Sequence, residues 1–343
     1  MRKLVFITQQ VDPRHPALAA TVPKIRALAA LVDEVVVLAD GAVPGVLPGN
    51  CRVRTFRAGY RALRGARFEA ALGRELPGLR GGAVVAHMCP IYAVLAAPLA
   101  RPLRIPLVLW FTHWRSSELL QAAERVSTAV TSVDRRSFPL PSKKLRAIGH
   151  GIDLEEFPCT PPREGSGTRL LALGRYSTAK GLDVAVAAVP LAGDDVELHV
   201  HGPALSDDER AHRSELEQLV RELGLDGRVT IGDSVPRTEI PGLFATHDTL
   251  VNNMRAGAPD KVVYEAAAAC LPVLASNPIF DELLEPEQRF TRWDPGALAD
   301  RIRALAATSP EERAALGRTL RERVAEGHSV QSWARGILGA AGI

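Results

Sequence analysis

Short apolar runs, closed by glycine, proline or charged residues, alternate along this chain with longer segments of helical periodicity. In the first part the runs fall at Leu4–Ile7, Glu34–Ala39, Arg52–Phe56, Ala83–Ala86, Leu107–Phe111, Ala129–Ser132 and Leu145–Ile148. In the second they fall at Leu170–Leu173, Glu197–His201, Val229–Ile231, Thr249–Asn252 and Pro272–Ala275. Runs this short and this apolar fit strands buried on both faces, and strands separated by helices require parallel pairing. Helices are predicted over Ala17–Ala30, Gly181–Val189, Asp207–Leu223, Thr238–Ala245, Lys261–Cys270, Pro295–Ala306, Pro310–Ala325 and Val330–Leu338. Asp12, Pro13 and Pro16 stop the first strand and open the first helix. The class is α/β, with doubly wound parallel sheets.

Between the two series the pattern lapses into HGIDLEEFPCTPPREGSGT, rich in Pro, Gly and charge, which reads as a linker. The expected layout is a Rossmann-like domain over 1–153, a linker over 154–168, a second Rossmann-like domain over 169–326, and a last helix over 327–343 placed to cross back to the first domain. With 343 residues each half can bury its own core. Hydrophobic residues at 46% and charged residues at 24% exclude disorder. A net charge of +3 is too mild for a nucleic-acid binder and suits an anionic small substrate or an acidic lipid surface. No apolar segment approaches the roughly 20 residues of a membrane span. Cys51, Cys89, Cys159 and Cys270 form no CxxC pair or metal spacing and read as reduced thiols of a cytoplasmic protein.

The densest chemistry lies in LLALGRYSTAKGLD, Leu170 to Asp183. A strand breaks at Gly174 and a helix follows, so helix N–H groups face the loop, where Arg175 and Lys180 add two cations. Arg grips phosphate oxygens through two N–H groups and Lys follows charge onto a leaving diphosphate; the plain alternative is a pair of solvated loop cations. Strand Glu197–His201 ends at Gly202 and Pro203. Glu265, among Val262, Val263 and alanines, reads as a buried carboxylate needing a partner, either Lys261 one turn away or a ribose diol. Asp260 is suited to cap that helix. In the first half Asp12, His87, His113 and Asp134 follow strand ends, where they could converge on one face and line a ligand crevice, with capping or core roles as the plain alternative. The missing GxGxxG turn argues against a dehydrogenase.

With these residues placed, the chain resembles the retaining glycosyltransferases of family 4, which have the GT-B fold of two facing Rossmann-like domains. GRYSTAKGLDVAVAAV is similar to the family's GR…KG loop and helix, LHVHGP to its strand ending in Gly-Pro, VVYEAAAACLPVLAS to its EAMAxGxPVxAS segment, and HGID before the linker to a fourth motif. The first half is resembled in layout, including a strand followed by THW. The resemblance implies that Arg175 and Lys180 hold a nucleoside diphosphate, that Glu265 bonds the ribose hydroxyls, that Val235 lies along the base and that His113 contacts the transferred sugar. It places Gly174, Gly202, Asp260, Lys261 and Val262 around the donor, and implies metal-independent transfer from a nucleoside-diphosphate sugar such as a UDP-sugar, with no cofactor. Gly257 stands where the first of the family's two glutamates belongs, which points to a different set of donor hydroxyls, to substitution by Asp260 or loop amides, or to lost activity. A nucleotide-sugar epimerase and a non-catalytic binding subunit are the competing readings. The resemblance gives the first domain much of the acceptor pocket, which makes Asp12, His87 and Asp134 acceptor-side candidates, and the acceptor is a sugar, a small molecule or a lipid-linked molecule. Arg61, Arg64, Arg67, Arg74 and Arg80 form either a solvated helix face or a peripheral contact with the inner membrane.

Overall fold

Strand β1 (Lys3–Val11) is the axis of the first unit of the structure, a computed structural model that describes residues 2–15 and 18–343. Helix α1 (Thr21–Ala29) follows it; the expected helix start at Ala17, with Pro16 before it, lies outside the described residues. Then come β2 (Glu34–Ala42), β3 (Cys51–Thr55), α2 (Arg61–Glu75), β4 (Ala83–His87), α3 (Pro90–Ala100), β5 (Leu107–Trp110), α4 (Glu118–Val126), β6 (Ala129–Ser132) and β7 (Leu145–Ala147). The sheet order is β3-β2-β1-β4-β5-β6-β7, with every pair parallel. The order reverses between β1 and β4, and in such sheets that is where the carboxyl ends open a crevice.

The second unit contains β8 (Thr168–Leu173), α5 (Leu182–Ala192), β9 (Val196–His201), α6 (Asp207–Glu222), β10 (Val229–Gly232), α7 (Ile240–Ala245), β11 (Thr249–Asn252), α8 (Lys261–Ala268), β12 (Val273–Ala275), α9 (Pro295–Ala306) and α10 (Pro310–Gly327). Its order is β10-β9-β8-β11-β12, also parallel, with the reversal between β8 and β11. Helix α5 is apolar almost all round because it lies between the sheet and α9, and it continues through Pro190, where the sequence predicts a stop. Arg228 donates to the Val189 and Gly193 carbonyls there, satisfying acceptors that a helix end leaves open.

The chain divides into units Met1–Asp153 with Gly327–Ile343, and Leu154–Glu326. The last helix, α11 (Val330–Ala341), thus belongs to the first unit, where it packs on α1. Trp333 of α11 is fully buried. Beside it the Lys24 ammonium lies 3.9 Å from the Trp110 ring centroid, and His87 stacks on Trp110 at 4.6 Å. The residues after 153 are part of the second unit. Phe157 is 1% exposed and packs near Phe244, Arg321 donates to the Phe157 carbonyl at 2.6 Å, and the Thr160 N–H donates to Ala269 at 3.2 Å. A stretch that reads as linker by composition is therefore anchored by bonds from residues distant in sequence.

The reading of four reduced thiols is corrected. Cys159 and Cys270 form a disulfide, their Cα atoms 4.9 Å apart across 111 residues of sequence. No spacing rule finds such a pair, because it depends on the end of α8 folding back against the segment before β8. Cys51 and Cys89 remain thiols, pushed up by burial to about 11 and about 12. Replacing Cys159 and Cys270 together by Ser is expected to lower stability by about 2–4 kcal/mol in urea unfolding, since the bond closes a long loop; a loss under about 0.5 kcal/mol would refute that contribution.

His247 supplies a pH dependence. Burial pushes it down to about 4 from an ordinary 6.5, and its Nε2 lies 2.8 Å from Nδ1 of His199. Between those values the unfolded chain holds the extra proton, so stability is full above about 6.5 and falls as the pH drops toward 4, by up to about 1.4 kcal/mol per pH unit from this group. Urea midpoints measured from pH 7 to pH 4 should fall, and less steeply in His247→Gln.

Candidate active site

The second unit brings the main sequence candidates to the carboxyl ends of its strands. Gly174 ends β8 with φ 140°, a conformation few side chains adopt, and a Cβ on it would lie 2.3 Å from the Lys180 ammonium nitrogen. A Cβ on Gly202, at the end of β9, would lie 1.8 Å from the Gly174 carbonyl oxygen. The glycines let two strand ends and a lysine share space that side chains would fill. Lys180 is drawn back over this turn. It donates to the Leu173 carbonyl at 3.3 Å and pairs with Asp260, which also accepts from Asn252 Nδ2 at 2.7 Å.

Asp260 stands at the N-cap position of α8 but makes no side-chain bond to that helix, because its carboxylate is committed to Lys180 and Asn252. The first turn of α8, which carries Lys261 and Val262, consequently lacks a side-chain cap and keeps its donor character toward an anion. Arg175, 60% exposed, is tethered only loosely, its Nη1 3.3 Å from Glu209 Oε1. Asn253 and Asn277 brace the surrounding loops. Asn253 donates to the Gly181 carbonyl, and Asn277 donates to the carbonyls of Arg255 and Ala258 at 2.8 and 2.9 Å, pinning the turn through Gly257. Gly257 has φ 77°, so the position where the resemblance places a glutamate is a left-handed turn that favours glycine.

Glu265 is 5% exposed and meets two cations, Lys261 at 3.0 Å and Arg237 at 2.9 Å. Burial alone would raise its pKa; Lys261 and Arg237 outweigh it and hold the carboxyl below its ordinary value. Arg237 is a site residue that sequence reasoning missed: it lies two positions past half-buried Val235, in a loop with no pattern to mark it. Asn252 and Asn253 were legible in principle as a polar pair ending an apolar strand, the criterion that singled out His87.

In the first unit the candidates separate. His113 follows β5 and is exposed. Its Nδ1 accepts the Arg115 N–H at 2.9 Å, and burial together with the nearby Arg115 charge lowers its pKa, so the neutral ring carries its proton on Nε2. Ser137 links it to Asp134: the His113 N–H donates to the Ser137 carbonyl at 3.1 Å, and the Asp134 N–H donates to Ser137 Oγ at 3.0 Å. Asp134 caps the turn at Arg135–Ser137 and pairs with Arg136, and Asp12 accepts the Arg14 N–H at 2.9 Å after β1. His87 is 4% exposed and turned into the layer beneath α1 and α11, where burial and then Lys24 push its pKa well down and neither ring nitrogen has a hydrogen-bond partner. Among the described residues no group of three His, Cys, Asp or Glu is arranged to hold a metal ion.

Two doubly wound parallel-sheet units of this kind make up the GT-B fold of glycosyltransferases, and solved structures agree over the chain's length. HepE of Anabaena, in complex with UDP, is 18% identical, with a TM-score of 0.76 and both chains covered in full. Sucrose-phosphate synthase of Thermosynechococcus elongatus is 18% identical, TM-score 0.74, covering 98% of this chain and 97% of that one. The lipopolysaccharide outer core galactosyltransferase WaaB is 12% identical, TM-score 0.68, with 98% of each chain covered. Residues 167–308, within the second unit, match the family model for Glycosyl transferases group 1. No curated protein sequence matches the chain.

The contact between Gly202 and the Gly174 carbonyl is testable apart from activity. Gly202→Ala should cost about 1–3 kcal/mol through overpacking, whereas Gly242→Ala, on open helix surface, should be neutral or slightly stabilising. Equal urea midpoints for the two variants would contradict the close approach.

Proposed function

We propose that this protein is a retaining, metal-independent glycosyltransferase that moves a sugar from a nucleoside-diphosphate sugar to an acceptor hydroxyl. The observation that carries the proposal is the set of cations and N–H donors at one strand edge: Lys180 held against Gly174 by Asp260, Arg175 on its loose tether, and the uncapped start of α8. A departing diphosphate needs positive charge that grows in importance as the glycosidic bond breaks. Lys180 can exchange Asp260 for a phosphate oxygen, and Arg175 can leave Glu209 to grip another. The acceptor hydroxyl attacks from the face the diphosphate leaves, and the diphosphate takes its proton. The presence of UDP in the HepE structure supports a uridine nucleotide; in our reading Val235 lies along its base and Glu265 on its ribose.

His113 suits a contact with the transferred sugar, since its neutral ring presents Nε2–H as a donor to a hydroxyl. Asp12 and Asp134 are placed on the acceptor side of the first unit, although each already serves a local turn. The acceptor class we favour is a sugar, small-molecule or lipid-linked hydroxyl, met on the cytoplasmic side or peripherally at a membrane face. No helix among the described residues is long and apolar enough to cross a membrane.

Two measurements test this reading. UDP should raise the melting temperature, as a ligand bound only by the folded state does, and donor with acceptor should give a glycoside retaining the anomeric configuration. Lys180→Ala should cut turnover by about a hundredfold or more while costing no more than about 1–2 kcal/mol of stability from the unpaired Asp260. Wild-type turnover in that variant would sink the diphosphate role, and conversion of donor without acceptor would indicate an epimerase.

A further inference from the structure

Glu265 has more positive charge around it than neutralisation requires. Lys261, one helical turn away, already supplies a full counter-charge at 3.0 Å. Arg237 arrives from the loop after β10, far away in sequence, and donates through Nη1 to the same oxygen, Oε1, at 2.9 Å. Lysine is a mobile point charge and fixes no plane, whereas guanidinium is planar and directional. This guanidinium is also held from its other side. Nη2 pairs with Glu156, and the group lies 5.4 Å from the ring centroid of Phe157, itself fully buried. Burial opposes the charge on Arg237, and Glu265 and Glu156 together more than restore it.

We propose that Arg237 is a positioning residue that locks the carboxylate of Glu265 in one orientation, with Oε1 occupied by the two cations and Oε2 left to accept from a vicinal diol. Arg237 thereby sets the preference for ribonucleotides over nucleotides lacking the 2′ and 3′ hydroxyls. The inference rests on reading Glu265 as the ribose partner and adds a residue that reading does not contain. Glu156 and Phe157 become the support of the diol site, which gives a structural reason for the segment after residue 153 to be fastened to the second unit.

The test is the ratio of dissociation constants for 2′,3′-dideoxy-UDP and UDP, measured by calorimetry on the full chain. Wild type should prefer UDP by about tenfold or more, the worth of hydrogen bonds to a charged acceptor. Arg237→Met should bring the ratio close to one with dideoxy-UDP affinity changed less than about twofold, and Arg237→Lys should restore part of it. A purely structural role would weaken both nucleotides equally and leave the ratio intact, which would overturn the proposal. If Arg237→Met does not fold, Glu156→Gln decides: removing the outer anchor should lower the ratio, and an unchanged ratio overturns the inference. Glu265→Gln separates the two levels. A ratio near one already in wild type, unchanged in Glu265→Gln, refutes the ribose reading itself. A wild-type preference lost in Glu265→Gln but kept in Arg237→Met refutes the role of Arg237 alone.

Discussion

A lysine ammonium set against a strand end must be neutralised, and in this protein the pairing of Lys180 with Asp260 meets that demand. The pair joins the turn after β8 to the start of α8, across 80 residues of sequence. Asp260 is withdrawn from capping its own helix as a result, and Gly174 must lack a side chain for the lysine to reach its place. One ion pair therefore sets the shape of the strand edge, the exposure of the helix start and the position of the cation. Its carboxylate is also a stand-in for the anion the site is read to bind, since a phosphate would meet Lys180 and the α8 N–H groups together.

The same economy governs Glu265. A carboxylate this deeply buried is costly without partners, and the partners that stabilise it also orient it. Lys261 comes from local helical spacing and Arg237 from a long-range loop, so one is fixed by sequence neighbours and the other by the fold. In the first unit aromatic faces also meet a buried cation. Lys24 lies over the faces of Trp110 and Trp333, where aromatic rings stabilise an ammonium electrostatically, and His87 stays neutral beside it.

The alternation of strands and helices was readable because a strand buried on both faces must be apolar and a crossover helix must carry a stripe toward the sheet. Leu4–Ile7, Ala83–Ala86 and Leu170–Leu173 fall inside observed strands for that reason. Element ends were less legible. β2 runs on to Ala42 through half-buried residues, and α5 continues past Pro190, because neighbouring strands and an arginine satisfy groups that local pattern leaves open.

Read alone, the residues determine the doubly wound parallel class and bring Gly174, Arg175, Lys180, Gly202 and Glu265 forward, since apolar periodicity and glycine placement are local properties. They do not determine which charges meet. The Lys180–Asp260 pair, the Arg237 contact with Glu265 and the Cys159–Cys270 bond join positions 80, 28 and 111 residues apart. Nor do they tell how deeply the two histidines lie: His87 is the last residue of β4 and is sealed under a helix, whereas His113 lies past the end of β5 and is exposed. Tertiary structure decided those matters because charge pairing, cross-linking and burial depend on distance in space, which periodicity along the chain does not encode.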